Sequence, residues 1–120
     1  MLMTKAEKEA KRYSMVIGVR PEKLEEYKRL HANPWPEVIE ALRDAHVRNF
    51  SIYLGEVNGA PHLFAYLEYT GENLQADLAK LPDVPRYREW LSQTDPCQTP
   101  LPNRKSGEWW MRVEEIFHME

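Results

Sequence analysis

One cysteine, Cys97, and only five glycines stand in a chain of 120 residues. No apolar run is long enough to cross a bilayer. The lone thiol excludes an intrachain disulfide and fits a reducing, cytoplasmic compartment. The scattered glycines build neither a phosphate-cradling loop nor a G-x-S-x-G elbow, so nucleotide-dependent and serine-nucleophile chemistry are poor fits. The histidines at 31, 46, 62 and 118 are isolated, and Cys97 has no His or Cys within four residues, so metal-ligand spacing is missing. A charge excess of one sign is missing as well. With 16 basic and 19 acidic residues the formal net charge is −3, and no basic face offers itself to nucleic acid. The expectation is a protein with no nucleic-acid partner, no membrane segment, no metal and no cofactor. Residues 1–11 lack the apolar core of a signal peptide and read as a charged tail, leaving 12–120 as a single domain.

What is present is punctuation and pattern. Residues 13–19 alternate Met15, Ile17 and Val19 with Ser14, Val16 and Gly18, which predicts a strand. Pro21 opens a helix that carries Leu24, Tyr27 and His31 on one face. Pro34 and Pro36, flanking Trp35, break that helix. Pro36 starts a second helix with an apolar stripe of Val38, Ile39, Ala41, Leu42 and Ala45. Residues 47–54 and 62–69 read as strands joined through Asn58-Gly59, a hairpin signal because both residues tolerate positive φ. Helices follow over 72–81 and 86–92, then an extended loop with Pro96, Pro100 and Pro102, and a last strand over 109–117. The order β-α-β-β-α-β predicts a ferredoxin-like α+β fold. Phe50, Ile52, Leu54, Leu63 and Leu67 alternate with Tyr53, Phe64 and Tyr66, so both faces of the sheet are apolar. A second copy of the sheet is the simplest cover, which predicts a homodimer.

With nucleophile, nucleotide and metal designs set aside, a polar and aromatic constellation remains. Tyr27 and His31 lie one helical turn apart, just before the Pro-Trp-Pro break. A histidine at a helix end exchanges protons near neutral pH, and a tyrosine one turn away can bond a substrate hydroxyl. Trp35 and Trp90 could stack on the apolar face of a sugar ring. A lone histidine at a helix end is also commonly a cap or a surface residue. Trp109 and Trp110 read as core or interface residues, His46 as the residue closing the second helix, and Cys97 as a buried small side chain.

The segment 26–37, EYKRLHANPWPE, resembles the E-Y-x-x-x-H-x-x-x-W-P-E motif of the L-rhamnose mutarotase family. NFSIYL at 49–54, LFAYLE at 63–68, Trp90 with TDPCQ at 94–98, and EEIFH at 114–118 resemble further family stretches in order. The resemblance implies a dimeric ferredoxin-like α/β barrel acting on a monosaccharide, L-rhamnose or a related 6-deoxyhexose, without a cofactor. It implies His31 as the catalytic acid and Tyr27 as a substrate-binding residue. Phe50 stands where the family has a second binding tyrosine, and Trp90 and Leu91 stand where it has paired tryptophans. The base at the anomeric hydroxyl is open between a water and a carboxylate. L-fucose is the competing sugar. Small monooxygenases built on dimeric barrels are the competing enzyme class, because a fold does not settle a function.

Overall fold

The computed structural model describes residues 10–120. Strand β1 (Lys11–Val19) leads through a 3-10 turn (Pro21–Lys23) into α1 (Leu24–Ala32) and α2 (Pro36–Asp44). Strands β2 (Val47–Val57) and β3 (Ala60–Tyr69) form the hairpin. After them come α3 (Leu74–Ala79), a 3-10 turn (Leu81–Asp83), α4 (Pro85–Thr94) and a further 3-10 turn (Asp95–Cys97). Two short strands, β4 (Gln98–Thr99) and β5 (Met111–Val113), end the order. Proline opens α2, α4 and all three 3-10 turns, where its missing N–H costs nothing. The antiparallel sheet runs β2-β3-β1-β4, with β5 also on β1. This is the ferredoxin-like α+β arrangement expected. Among the described residues no helix is long and apolar enough to cross a membrane.

Asn58 and Gly59 both take positive φ, 53° and 77°, and close the β2–β3 hairpin as their chemistry predicts. A feature of β2 was not foreseen. Its register on β3 shifts between Arg48 and Ser51, and Asn49 sits at φ 46°. Arg48 pairs Glu68 and Ser51 pairs Tyr66, so Asn49 and Phe50 together oppose Leu67. One extra residue reverses the in–out parity of everything after it. Val47 can therefore face inward at one end while Ile52 faces inward further along.

The inner face of the sheet carries Met15, Ile17, Leu63, Ala65, Leu67 and Tyr69, all buried under the helices. At one end of the sheet the Tyr69 hydroxyl donates to the Asp77 carboxylate and accepts the Asn73 N–H at 2.9 Å, with His46 on the same carboxylate at 3.3 Å. That knot ties α3 down. His46 takes φ 70° just past α2, closing the helix as expected but through left-handed backbone and this partner. The outer face is only half covered: Val16, Phe64 and Tyr66 are partly exposed and Tyr53 is 63% exposed.

The ends of β2, β3, α3 and α4 shift by one to three residues from those expected, and two further boundaries need correction. Lys11, assigned to the tail, is the first residue of β1 and pairs Tyr69; the rest of the tail expectation, up to residue 9, lies outside the described residues. The last strand is not 109–117 but Met111–Val113. At one end β4 already occupies the edge of β1 at Gly18 and Val19, which displaces Trp109 and Trp110 from the ladder. A side chain on Gly18 would meet the Thr99 carbonyl at 2.9 Å, so β4 depends on that glycine. At the other end the ladder stops at the Ser14–Val113 pair, and two residues on an Arg12–Glu115 ion pair at 2.7 Å joins the chain to the start of β1.

Candidate active site

Helix α1 places Tyr27 and His31 one turn apart with their rings stacked, centroids 4.1 Å apart and planes 25° from parallel. The His31 Nδ1–H donates to the Tyr27 backbone carbonyl at 2.8 Å, because a carbonyl can only accept. This fixes the tautomer and leaves Nε2 as the nitrogen that gains and loses a proton. Trp90 from α4 meets the imidazole edge-on at 5.1 Å. Burial pulls the His31 pKa below the usual histidine range, and the Tyr27 carbonyl partly offsets it. Tyr27 itself is buried, and burial pushes its phenol up to about 12, so it stays neutral. Its oxygen accepts from Gln98 Nε2 at 3.2 Å, and Gln98 Oε1 accepts the Trp109 Nε1–H at 2.7 Å. This relay locks α1, β4 and the approach to β5 together.

His31 and Tyr27 open onto a cavity of about 550 Å³ between the helices and the inner face of the sheet. That volume lies within the roughly 300–1,000 Å³ of small-molecule sites. The wall is mostly aromatic and aliphatic, with Tyr87, Trp90, Leu91, Trp109 and Trp110 prominent, and its polar groups converge in one region: His31, Tyr27, Thr94, Asp95 and Gln98. Tyr87, like Tyr27, is pushed up to about 12 by burial. Burial also raises the Asp95 carboxyl above the usual carboxylate range. An apolar enclosure with a few convergent polar groups suits a small, hydroxylated molecule with an apolar face.

Of the residues singled out in the sequence, His31, Tyr27, Phe50, Trp90 and Leu91 line this cavity. Phe50 stands at its open side, 39% exposed, on the bulge of β2. Trp35 is not on the wall. It packs edge-on against Trp90 at 5.1 Å, with the Arg86 guanidinium 3.6 Å above its ring. Trp109 and Trp110, read from sequence as core or interface, line the cavity. Asp95 and Gln98 were not anticipated; the loop containing them is brought to α1 by β4, whose pairing has no local sequence signal. Cys97 is buried, its thiol 3.5 Å from the Gln93 carbonyl, and burial pushes its pKa up, as an inert small residue requires. Among the described residues no cluster of His, Cys, Asp or Glu is placed to hold a metal ion.

Comparison with known proteins agrees with this geometry. The family model for L-rhamnose mutarotase matches residues 12–119. An L-rhamnose mutarotase of Bacillus subtilis (strain 168) is 36% identical over 110 residues, 92% of this chain and 99% of that protein. An L-rhamnose mutarotase of Paraburkholderia phytofirmans is 31% identical over 113 residues, 89% of this chain and 92% of that protein. The crystal structure of an L-rhamnose mutarotase from Formosa agariphila superposes with a TM-score of 0.67 at 22% identity, covering 92% of this chain and 99% of that one. Tetracenomycin F2 cyclase from Streptomyces glaucescens, at TM-score 0.65 and 16% identity over 92% of this chain and 98% of that one, shares the fold. On the family match along nearly its whole length, the chain belongs to the L-rhamnose mutarotase family.

Proposed function

We propose that this protein is an isomerase that interconverts the α and β anomers of L-rhamnose by acid–base catalysed ring opening and closure. The observation that carries the reading is the state of His31. Its ring is oriented by Tyr27 on one side and Trp90 on the other, with Nε2 left for proton exchange beside an apolar cavity of monosaccharide size. His31 protonates the ring oxygen, the hemiacetal opens, the C1–C2 bond rotates, and closure on the other face returns the proton. The reaction changes no oxidation state and is nearly thermoneutral, so one imidazole serves in both directions. Tyr27 orients hydroxyl groups, and Phe50, Trp90 and Leu91 form the wall that receives the methyl group of a 6-deoxy sugar. The family match favours this reaction over the monooxygenase alternative. The working unit is a homodimer, for which the half-covered outer face of the sheet is the supporting observation.

The test is magnetisation-exchange NMR of L-rhamnose anomers with catalytic amounts of protein. The wild type is expected to exchange the anomers well above the buffer rate. His31→Ala is expected to lose about 10²- to 10⁴-fold, the usual size of a general acid–base contribution. A folded His31→Ala that exchanges at the wild-type rate overturns the role of His31, and a wild type no faster than buffer overturns the function.

A further inference from the structure

We infer that Asp95 is the second acid–base group of this site, taking the proton from the anomeric hydroxyl while His31 acts on the ring oxygen; the inference rests on the mutarotase reading. Among the residues lining the cavity, His31 and Asp95 alone carry side chains that titrate between acid and neutral pH. The remaining polar members are two tyrosines, Thr94 and Gln98. Asp95 is also the one carboxylate on that wall.

Its position is fixed, yet its charge has no partner. Asp95 opens the 3-10 turn after α4, and both flanks of that turn are tied. The Cys97 thiol donates to the Gln93 carbonyl, the Cys97 carbonyl accepts the Arg20 N–H at 2.8 Å, and the next side chain, Gln98, is bonded to Tyr27. Elsewhere the partly buried Asp77 and the carboxylates of Glu26, Glu68 and Glu115 all accept hydrogen bonds. No hydrogen bond or ion pair among the described residues engages the Asp95 carboxylate, although it is partly buried. A partly buried carboxylate on a tied turn, left unpaired in the cavity that also holds the His31 imidazole, is arranged to meet a donor that enters the cavity.

The step balances. With His31 protonated and Asp95 ionised, Nε2–H gives its proton to the ring oxygen as the carboxylate takes the O1 proton. The bond from C1 to the ring oxygen breaks, its electron pair stays on that oxygen, and C1=O1 forms. After rotation about C1–C2, the new hydroxyl returns its proton to His31 and Asp95 returns its own to O1 on the other face. Desolvation raises the carboxyl and lowers the imidazolium, so the two proton affinities are drawn toward each other.

The experiment compares wild type, Asp95→Asn and Asp95→Glu by L-rhamnose anomer exchange across pH, with L-rhamnose affinity from an NMR titration. The pair works only while it holds one proton between its two groups, so the wild-type rate is expected to fall on both the acid and the alkaline side. Asp95→Asn is expected to lose about 10²- to 10⁴-fold in exchange, keep its sugar affinity within a few-fold, and lose the acid limb. Asp95→Glu is expected to retain that limb at a reduced rate. Wild-type exchange that persists in Asp95→Asn overturns this assignment alone. Absence of exchange in the wild type overturns the mutarotase reading and this assignment with it. Should Asp95→Asn fail to fold, a wild-type profile with no acid limb overturns the assignment on its own.

Discussion

At the scale of single residues, position 50 separates recognition from chemistry. Phe50 lines the cavity mouth, while the family resemblance places a hydroxyl-bearing ring at this position. A well-placed neutral hydrogen bond contributes roughly 0.5–1.5 kcal/mol net, about two- to tenfold in affinity. Phe50→Tyr is therefore expected to raise anomer exchange of L-rhamnose relative to L-fucose by about that factor, read as the ratio of the two rates in variant and wild type. An unchanged ratio means that position 50 does not touch the sugar. The contrast between Phe50 and Asp95 shows where residue-level reading works. Tyr27 and His31 were legible because helical spacing alone makes them neighbours. Phe50, Trp90 and Leu91 were legible because the motif resemblance carried them. Asp95 and Gln98 reach the cavity through strand order and helix packing, and residues 64 and 67 positions beyond His31 leave no periodic signature beside it.

Among the elements, the break between α1 and α2 does the positioning. Trp35 stands at its centre as the extended residue that precedes the first turn of α2, with Pro36 starting the helix. It seats against Trp90 and under Arg86, which also approaches Glu37 at 3.8 Å and Glu89 at 3.0 Å. Leu30, Val38 and Trp90 form the buried cluster around it. The ring that could have stacked on a sugar instead braces the ring that touches His31. Trp35→Ala is expected to cost about 2–3 kcal/mol in urea unfolding, short of the 3–5 kcal/mol of a fully buried tryptophan. Activity is expected to fall through a looser Trp90, with the pH profile keeping its shape. Element boundaries set by proline and by Asn58-Gly59 were legible, because those residues act on their own backbone. The bulge at Asn49 and the shortened last strand were not. Each is decided by competition between strands for one partner: Val47 and Ile52 must both face inward, and β4 and β5 share one edge of β1.

The whole molecule presents an unfinished surface. Ile116 and Phe117 are 89% and 78% exposed on a segment beyond β5, and Tyr53, Leu54 and Val57 add to the apolar outline of β2. Surfaces of this kind on small proteins mark association. A second copy is the partner that the symmetry of most small oligomers favours. Light scattering at micromolar concentration is expected to give twice the 14.2 kDa chain mass, and Phe117→Glu is expected to shift the balance toward single chains. A monomer mass for the wild type overturns the dimer. The alternation of apolar residues on both sheet faces was legible in the sequence, since period two assigns each residue to a side without knowledge of what lies opposite.

The placement of the tryptophans has an optical consequence. Trp90, Trp109 and Trp110 form part of the cavity wall, and Trp35 touches Trp90, so all four indoles of the chain lie at one site or against it. The indole of Trp109 is moreover hydrogen-bonded into the relay that reaches Tyr27. With no indole elsewhere to dilute the signal, the ultraviolet emission of this protein is the emission of its pocket, and the chain carries its own unlabelled gauge of occupancy.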